Sequence, residues 1–244
     1  AVAAGFQPPA GVGQKAATAV RPQGSADYER YIGTWTVTTT SSEVTGQPQT
    51  YTIRIEPYRN DKSYKVYDWG VTTLGSKEED FPFILSYNEA DGSVGINSYE
   101  DLGMYGFTYY IYLRYRFLNE QSQPSIWVSE DTLVSGAYDA ASNEITITCG
   151  TFNDNSGITQ KITGLDYVLY TGGKYYEAQN LIRPGYLIGE GDNAKVDYGV
   201  GPYKLTKAPA AAAVPAKRPA KKFESLRPAS ETKQAAAVPL GVGR

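Results

Sequence analysis

Histidine is absent from this chain, and cysteine and methionine occur once each. Without histidine there is no Ser-His-Asp or Cys-His nucleophile and none of the usual histidine-containing zinc or iron sites. The lone Cys149 cannot form an intramolecular disulfide. It follows the alternating run Ile145-Thr146-Ile147-Thr148 and reads as a small core or sheet-face residue, because a reactive thiol needs an electropositive setting that its neighbours do not supply. No apolar run is long enough to span a bilayer as a helix. A phosphate-cradling glycine loop is missing too; Gly172-Gly173 reads as a turn. Adjacent acids at Glu78-Glu79-Asp80 and Glu130-Asp131 suit solvated loops better than the separated carboxyl pair of a glycosidase. The runs 153–157 and 189–193 carry oxygen ligands without the spaced acidic pattern of a calcium loop. The chain therefore reads as non-enzymatic, with no metal site and no cofactor.

What is present is unevenly distributed. The formal net charge is −3; residues 1–25 carry +2 and residues 208–244 carry +5, which leaves −10 on residues 26–207. Such an acidic body argues against nucleic acid, which is bound through clustered Lys and Arg. All 21 tyrosines lie between Tyr28 and Tyr203. Three segments follow: a flexible Ala/Gly/Pro leader or linker at 1–25, a folded body at 26–207, and an Ala/Pro/Lys-rich tail at 208–244 that contains Ala-Ala-Ala-Val-Pro twice. The opposite charges of tail and body suggest that the tail contacts the barrel or a neighbouring copy. The chain starts at Ala1 without Met or a signal peptide, as a mature or trimmed chain would. Much Tyr, Thr, Ser and Asn with almost no Cys or Met suggests an exported bacterial protein, placed in the periplasm, at the cell surface or outside the cell.

Within the body, the pattern is that of strands. Tyr31 to Thr40 alternates, with Trp35 and Val37 on one face and Thr34, Thr36 and Thr38 on the other. Ser25 is a candidate cap for a short helical turn before it, placed to plug a barrel end. Alternating or β-rich runs recur at 51–56, 64–70, 81–87, 94–97, 107–117, 126–128, 133–138, 144–149, 159–162, 166–170, 181–188 and 202–207, with an irregular loop expected at 99–106. Short strands, frequent turns and no convincing amphipathic helix predict an all-β barrel or sandwich, and closure into an antiparallel up-and-down barrel leaves no exposed edge. Consecutive strands are expected to wrap around one interior beginning at Trp35.

Gly33-Thr34-Trp35 on a first strand resembles the Gly-x-Trp signature of lipocalins, fatty-acid-binding proteins and avidins, the calycin barrels. With 51–55 and 64–70 it looks more closely like the lipocalin-like domains of exported Bacteroidetes proteins. The resemblance implies a cup that holds one small apolar molecule. It also implies that Gly33 and Trp35 close one barrel end, the Trp packing against a cation from near the last strand; Lys204, Lys207 and Arg183 are the candidates.

Candidate ligand contacts are the rings Trp69, Tyr105, Tyr109, Tyr110, Tyr112 and Trp127, which would give a cup flat apolar faces with hydroxyls for a sugar or an aromatic-bearing ligand. Ordinary sheet packing is the competing account of the same rings. Arg114 and Arg116 share a strand face with Tyr110 and Tyr112; they read as a solvated outer face, the alternative being internal charges paired to carboxylates such as Asp68. Two function classes remain in play. One is an exported binding module with a cup for a small apolar, aromatic or sugar ligand, and the other is a structural or adhesive surface domain without a small-molecule ligand.

Overall fold

The computed structural model describes residues 24–72, 81–98, 100–105, 109–177, 182–183, 185–188 and 195–208. The leader, most of the tail and the loop at 73–80 lie outside these residues, as does what was read into them. In chain order the elements are α1 (Ala26–Glu29), β1 (Gly33–Ser42), β2 (Thr50–Arg59), β3 (Ser63–Tyr67), β4 (Val71–Thr72), β5 (Phe83–Tyr87), β6 (Val94–Ile96), β7 (Glu100–Tyr105) and β8 (Tyr109–Leu118). They continue with β9 (Pro124–Trp127), β10 (Val134–Asp139), β11 (Glu144–Cys149), β12 (Thr151–Asn153), β13 (Thr159–Thr171), β14 (Lys174–Glu177), β15 (Ile182–Arg183), β16 (Gly185–Ile188) and β17 (Lys195–Lys207).

Eight of these strands close an antiparallel barrel in the order β1-β2-β3-β5-β6-β10-β11-β17, with β17 pairing back onto β1. The closing register sets Trp35 opposite Lys207 and Val37 opposite Leu205. Alternation explains the inner face: Trp35, Val37, Ile53, Ile55, Val66, Phe83, Leu85, Ile145, Ile147 and Leu205 are all buried, each two residues from the next on its strand. Ser25 caps α1 as expected, its hydroxyl accepting the Tyr28 N–H.

The expectation of consecutive ribbons is corrected here. The strongest strand signal, β8, is not a barrel strand. Two excursions, one between β6 and β10 and one between β11 and β17, meet as a second antiparallel sheet ordered β12-β13-β8-β7, with β9 beside β8 and β14 beside β13. Its spine is the β8–β13 pair, which joins Tyr110 to Tyr170 and Phe117 to Ile162 and slips by one residue near Thr163. That slip also merges two runs, read separately at 159–162 and 166–170, into one long bulged strand. The loop expected at 99–106 contains β7, which among the described residues pairs with β8 alone and so sits at a sheet edge, where Asp101 and Gly103 are tolerated.

The inner face of this second sheet joins the barrel core. Ile111, Leu113, Tyr115, Leu165, Tyr167 and Leu169 belong to the same buried cluster as Trp35 and Phe83. Hydrogen bonds fasten it: Tyr115 Oη donates to Ile96 O at 2.6 Å and accepts the Leu133 N–H at 2.9 Å. Gly164 lies directly against the Tyr203 hydroxyl, an approach that a Cβ would obstruct. The barrel thus has α1 at one end and a sheet across the other.

Candidate functional site

At the α1 end, Tyr28 and Tyr64 stack at 4.4 Å between centroids, and each hydroxyl donates to a backbone carbonyl, Tyr28 to Ser63 and Tyr64 to Tyr28. Trp35 is fully buried, and its Nε1 donates to Tyr31 O at 2.8 Å. Of the three candidate cations, Lys207 takes the place over the ring: Nζ sits 4.2 Å from the Trp35 centroid and donates to Ile32 O at 2.7 Å. Burial lowers the Lys207 pKa. Gly33 has φ +134°, and a side chain there would press on the Lys207 ammonium, so glycine serves both the backbone and the cation. Lys204 pairs instead with Glu144 at 3.0 Å, and the Arg183 side chain lies outside the described residues.

At the other end the candidate ring Trp69 is buried, edge-on to Tyr203 at 5.0 Å, Phe83 at 5.7 Å and Tyr51 at 5.9 Å. An eight-stranded barrel is just wide enough to be filled by side chains or to hold one small ligand. Here Trp35, Val37, Tyr64, Phe83, Ile96, Val134 and Leu205 are fully buried side chains of the barrel interior.

The remaining candidates belong to strands of the second sheet. Trp127 stacks on Phe152 at 4.2 Å, half-buried against the core, and Tyr109 is half-buried against that core too. The Tyr105 side chain lies outside the described residues. Tyr110 and Tyr112 point to the outer face, Tyr110 being 41% exposed. The structure adds two rings that were not singled out, Tyr170 and Tyr175. Register brings them in: Met104, Tyr110, Tyr170 and Tyr175 are successive cross-strand partners over β7, β8, β13 and β14. Tyr112 lies 6.4 Å from Tyr110 and 6.0 Å from Tyr170, and Tyr170 lies 5.0 Å from Tyr175. Alternation at Tyr170 was the available signal; its partner strand was not.

Further along the same face, exposure falls away. The reading of Arg114 and Arg116 as a solvated face is corrected: both are buried. Arg116 is gripped on two sides, Nε and Nη2 donating to the two Glu43 oxygens at 2.7 and 2.8 Å and Nη1 to Asp166 at 2.9 Å, while its guanidinium lies 3.5 Å from the Tyr198 centroid. Burial works against the charged form, but Tyr198, Asp166 and Glu43 together outweigh it and raise the pKa. The partners differ from the Asp68 considered from sequence, since Glu43 and Asp166 come from segments brought in by the β1–β17 and β8–β13 pairings. Arg114 donates through Nη1 to Ser98 O at 2.9 Å and Leu113 O at 2.8 Å and lies 4.3 Å from the Tyr112 centroid. Its pKa is lowered, chiefly by burial.

Asp197 is buried, and Cys149 is half-buried against the core. Asp197 accepts from Val44 N at 2.7 Å and Thr45 Oγ1 at 2.6 Å; burial would raise its pKa, but these hydrogen bonds more than compensate and lower it. Burial pushes the Cys149 thiol up to about 12, as for an inert core cysteine. Among the described residues no cluster of three or more His, Cys, Asp or Glu side chains could hold a metal ion, and no helix there is long and apolar enough to cross a membrane.

The closed antiparallel eight-stranded barrel is compatible with a lipocalin-like fold. No protein-family model, curated protein or solved structure matches the chain.

Proposed function

We propose that this protein is an exported, non-enzymatic surface-binding or adhesive domain of the lipocalin-like kind, in which the barrel is a filled scaffold and the outer face of the second sheet is the contact surface. The observation that carries this reading is the position of the rings. The described inner positions of the barrel are occupied by buried side chains, whereas the exposed Tyr110 and the half-buried Tyr112, Tyr170 and Tyr175 share the opposite face of the second sheet. Tyrosine suits such a face, because it offers a flat apolar surface and a hydroxyl at little cost in side-chain entropy. The Gly33-Thr34-Trp35 signature and the Lys207 cation over Trp35 support the lipocalin-like part.

A small-molecule cup within the barrel is the competing reading. Native mass spectrometry of the protein isolated from its source separates the two: an exterior binder is expected to carry no stoichiometric small molecule. A retained ligand that persists in the Tyr110→Ala variant would overturn the proposal. Fractionation of source cells is expected to recover the protein outside the cytoplasm, and recovery within it would overturn the assignment of an exported role.

A further inference from the structure

We infer that the tyrosine row on the second sheet is a binding site for a neutral saccharide chain, an inference that rests on the exterior-surface reading above and names the ligand class for it. The row Met104-Tyr110-Tyr170-Tyr175 crosses four hydrogen-bonded strands, so its backbone positions repeat at the strand spacing of about 4.8 Å; the Tyr170 and Tyr175 ring centroids lie 5.0 Å apart. That repeat is close to the length of one pyranose unit in an extended chain, so successive sugars meet successive side chains. The faces of pyranose rings present C–H groups that pack on aromatic faces, while their rims carry hydroxyls for which tyrosine Oη is donor and acceptor.

The surroundings select against other occupants. A body carrying −10 and the exposed Asp101, cross-strand neighbour of Tyr112, disfavour a polyanion such as a uronate polymer or nucleic acid. Lipid is disfavoured because three of the four members of the row end in a hydroxyl. Arg114 is a positioning residue: anchored on backbone carbonyls of Ser98 and Leu113, it lies against the half-buried Tyr112 ring, which Tyr110 and Tyr170 flank in turn.

The test is calorimetric titration of the full chain with cello-, xylo-, manno- and laminarihexaose, with oligogalacturonate and a synthetic peptide of residues 208–244 as competing probes. At least one neutral hexasaccharide is expected to bind, and its trisaccharide to bind more weakly because fewer rings are engaged. Tyr110→Ala and Tyr170→Ala are each expected to weaken binding about tenfold, and Tyr110→Phe, which keeps the ring, by no more than about threefold. Unchanged circular dichroism and melting of the variants would show that the sheet is intact. Saccharide binding that ignores these substitutions would overturn the site. Binding of only the uronate or the peptide, sensitive to Tyr110→Ala, would overturn the saccharide assignment and leave the exterior surface standing. Absence of binding to every neutral hexasaccharide would likewise overturn the saccharide assignment.

Discussion

Replacing Arg116 by methionine is the sharpest test of how the second sheet is locked to the barrel. The substitution keeps most of the side chain's volume and deletes a guanidinium that makes three charge-assisted hydrogen bonds, at 2.7, 2.8 and 2.9 Å, to two buried carboxylates. Glu43 and Asp166 side chains are only 8% and 6% exposed, so water cannot take over from the lost cation. Removing one partner of a buried ion pair costs about 3–5 kcal/mol, mostly the penalty of stranding the opposite charge. In a folded body of this size that corresponds to a fall in Tm of roughly 6–20 °C. Urea unfolding of wild type and variant, with the slope checked for two-state behaviour, measures it directly. The triple variant Arg116→Met, Glu43→Gln, Asp166→Asn strands no charge and is expected to be more stable than Arg116→Met alone. A single variant within about 1 kcal/mol of wild type, or a triple variant that loses the sum of the single losses, would refute the reasoning.

Other predictions address the two ends of the barrel. Lys207→Met removes the cation over Trp35 and two donor contacts to backbone carbonyls, and is expected to cost about 1–2 kcal/mol by chemical denaturation; a neutral result would deny the cation a stabilising role. Gly164→Ala places a methyl group against the Tyr203 hydroxyl and 2.9 Å from Gly199 O, with an expected loss of about 1–3 kcal/mol and a shift of the Tyr203 ring resonances. Glu100, which accepts the Ile84 N–H at 3.0 and 3.1 Å between the second sheet and the barrel, is pushed up to about 7 by burial, against the pull of that N–H. A carboxyl raised above its unfolded value of about 4.3 favours the protonated native state, so this contribution is complete below that value and is lost as pH rises to about 7. The expected loss is at most about 3.5 kcal/mol, and Glu100→Gln is expected to flatten that part of the stability curve. An equal slope in the variant would assign the effect elsewhere.

Much of the barrel was legible from local pattern. The alternation around Trp35, the turns, and the clean Glu144–Cys149 run each depend on neighbours two residues away, and the strands appear within a few residues of where alternation put them. The cation over Trp35 was narrowed to three residues, and closure of β17 onto β1 selected Lys207 by setting it opposite the indole. The face shared by Tyr110, Tyr112, Arg114 and Arg116 was also correct. Whether that face met water was not readable, because burial depends on what covers a strand, and Glu43 and Asp166 reach Arg116 from 73 and 50 residues away.

By itself, then, the amino-acid order determined that this chain forms strands, that no histidine chemistry is available, and that Trp35 and Val37 share one face of the first strand. Those properties follow from residue identity and a two-residue period. Only the tertiary structure decided that β8 leaves the barrel, pairs with β13 and faces the rings outward. That choice belongs to the register between two distant excursions, and a one-residue slip in it would exchange every buried side chain for an exposed one.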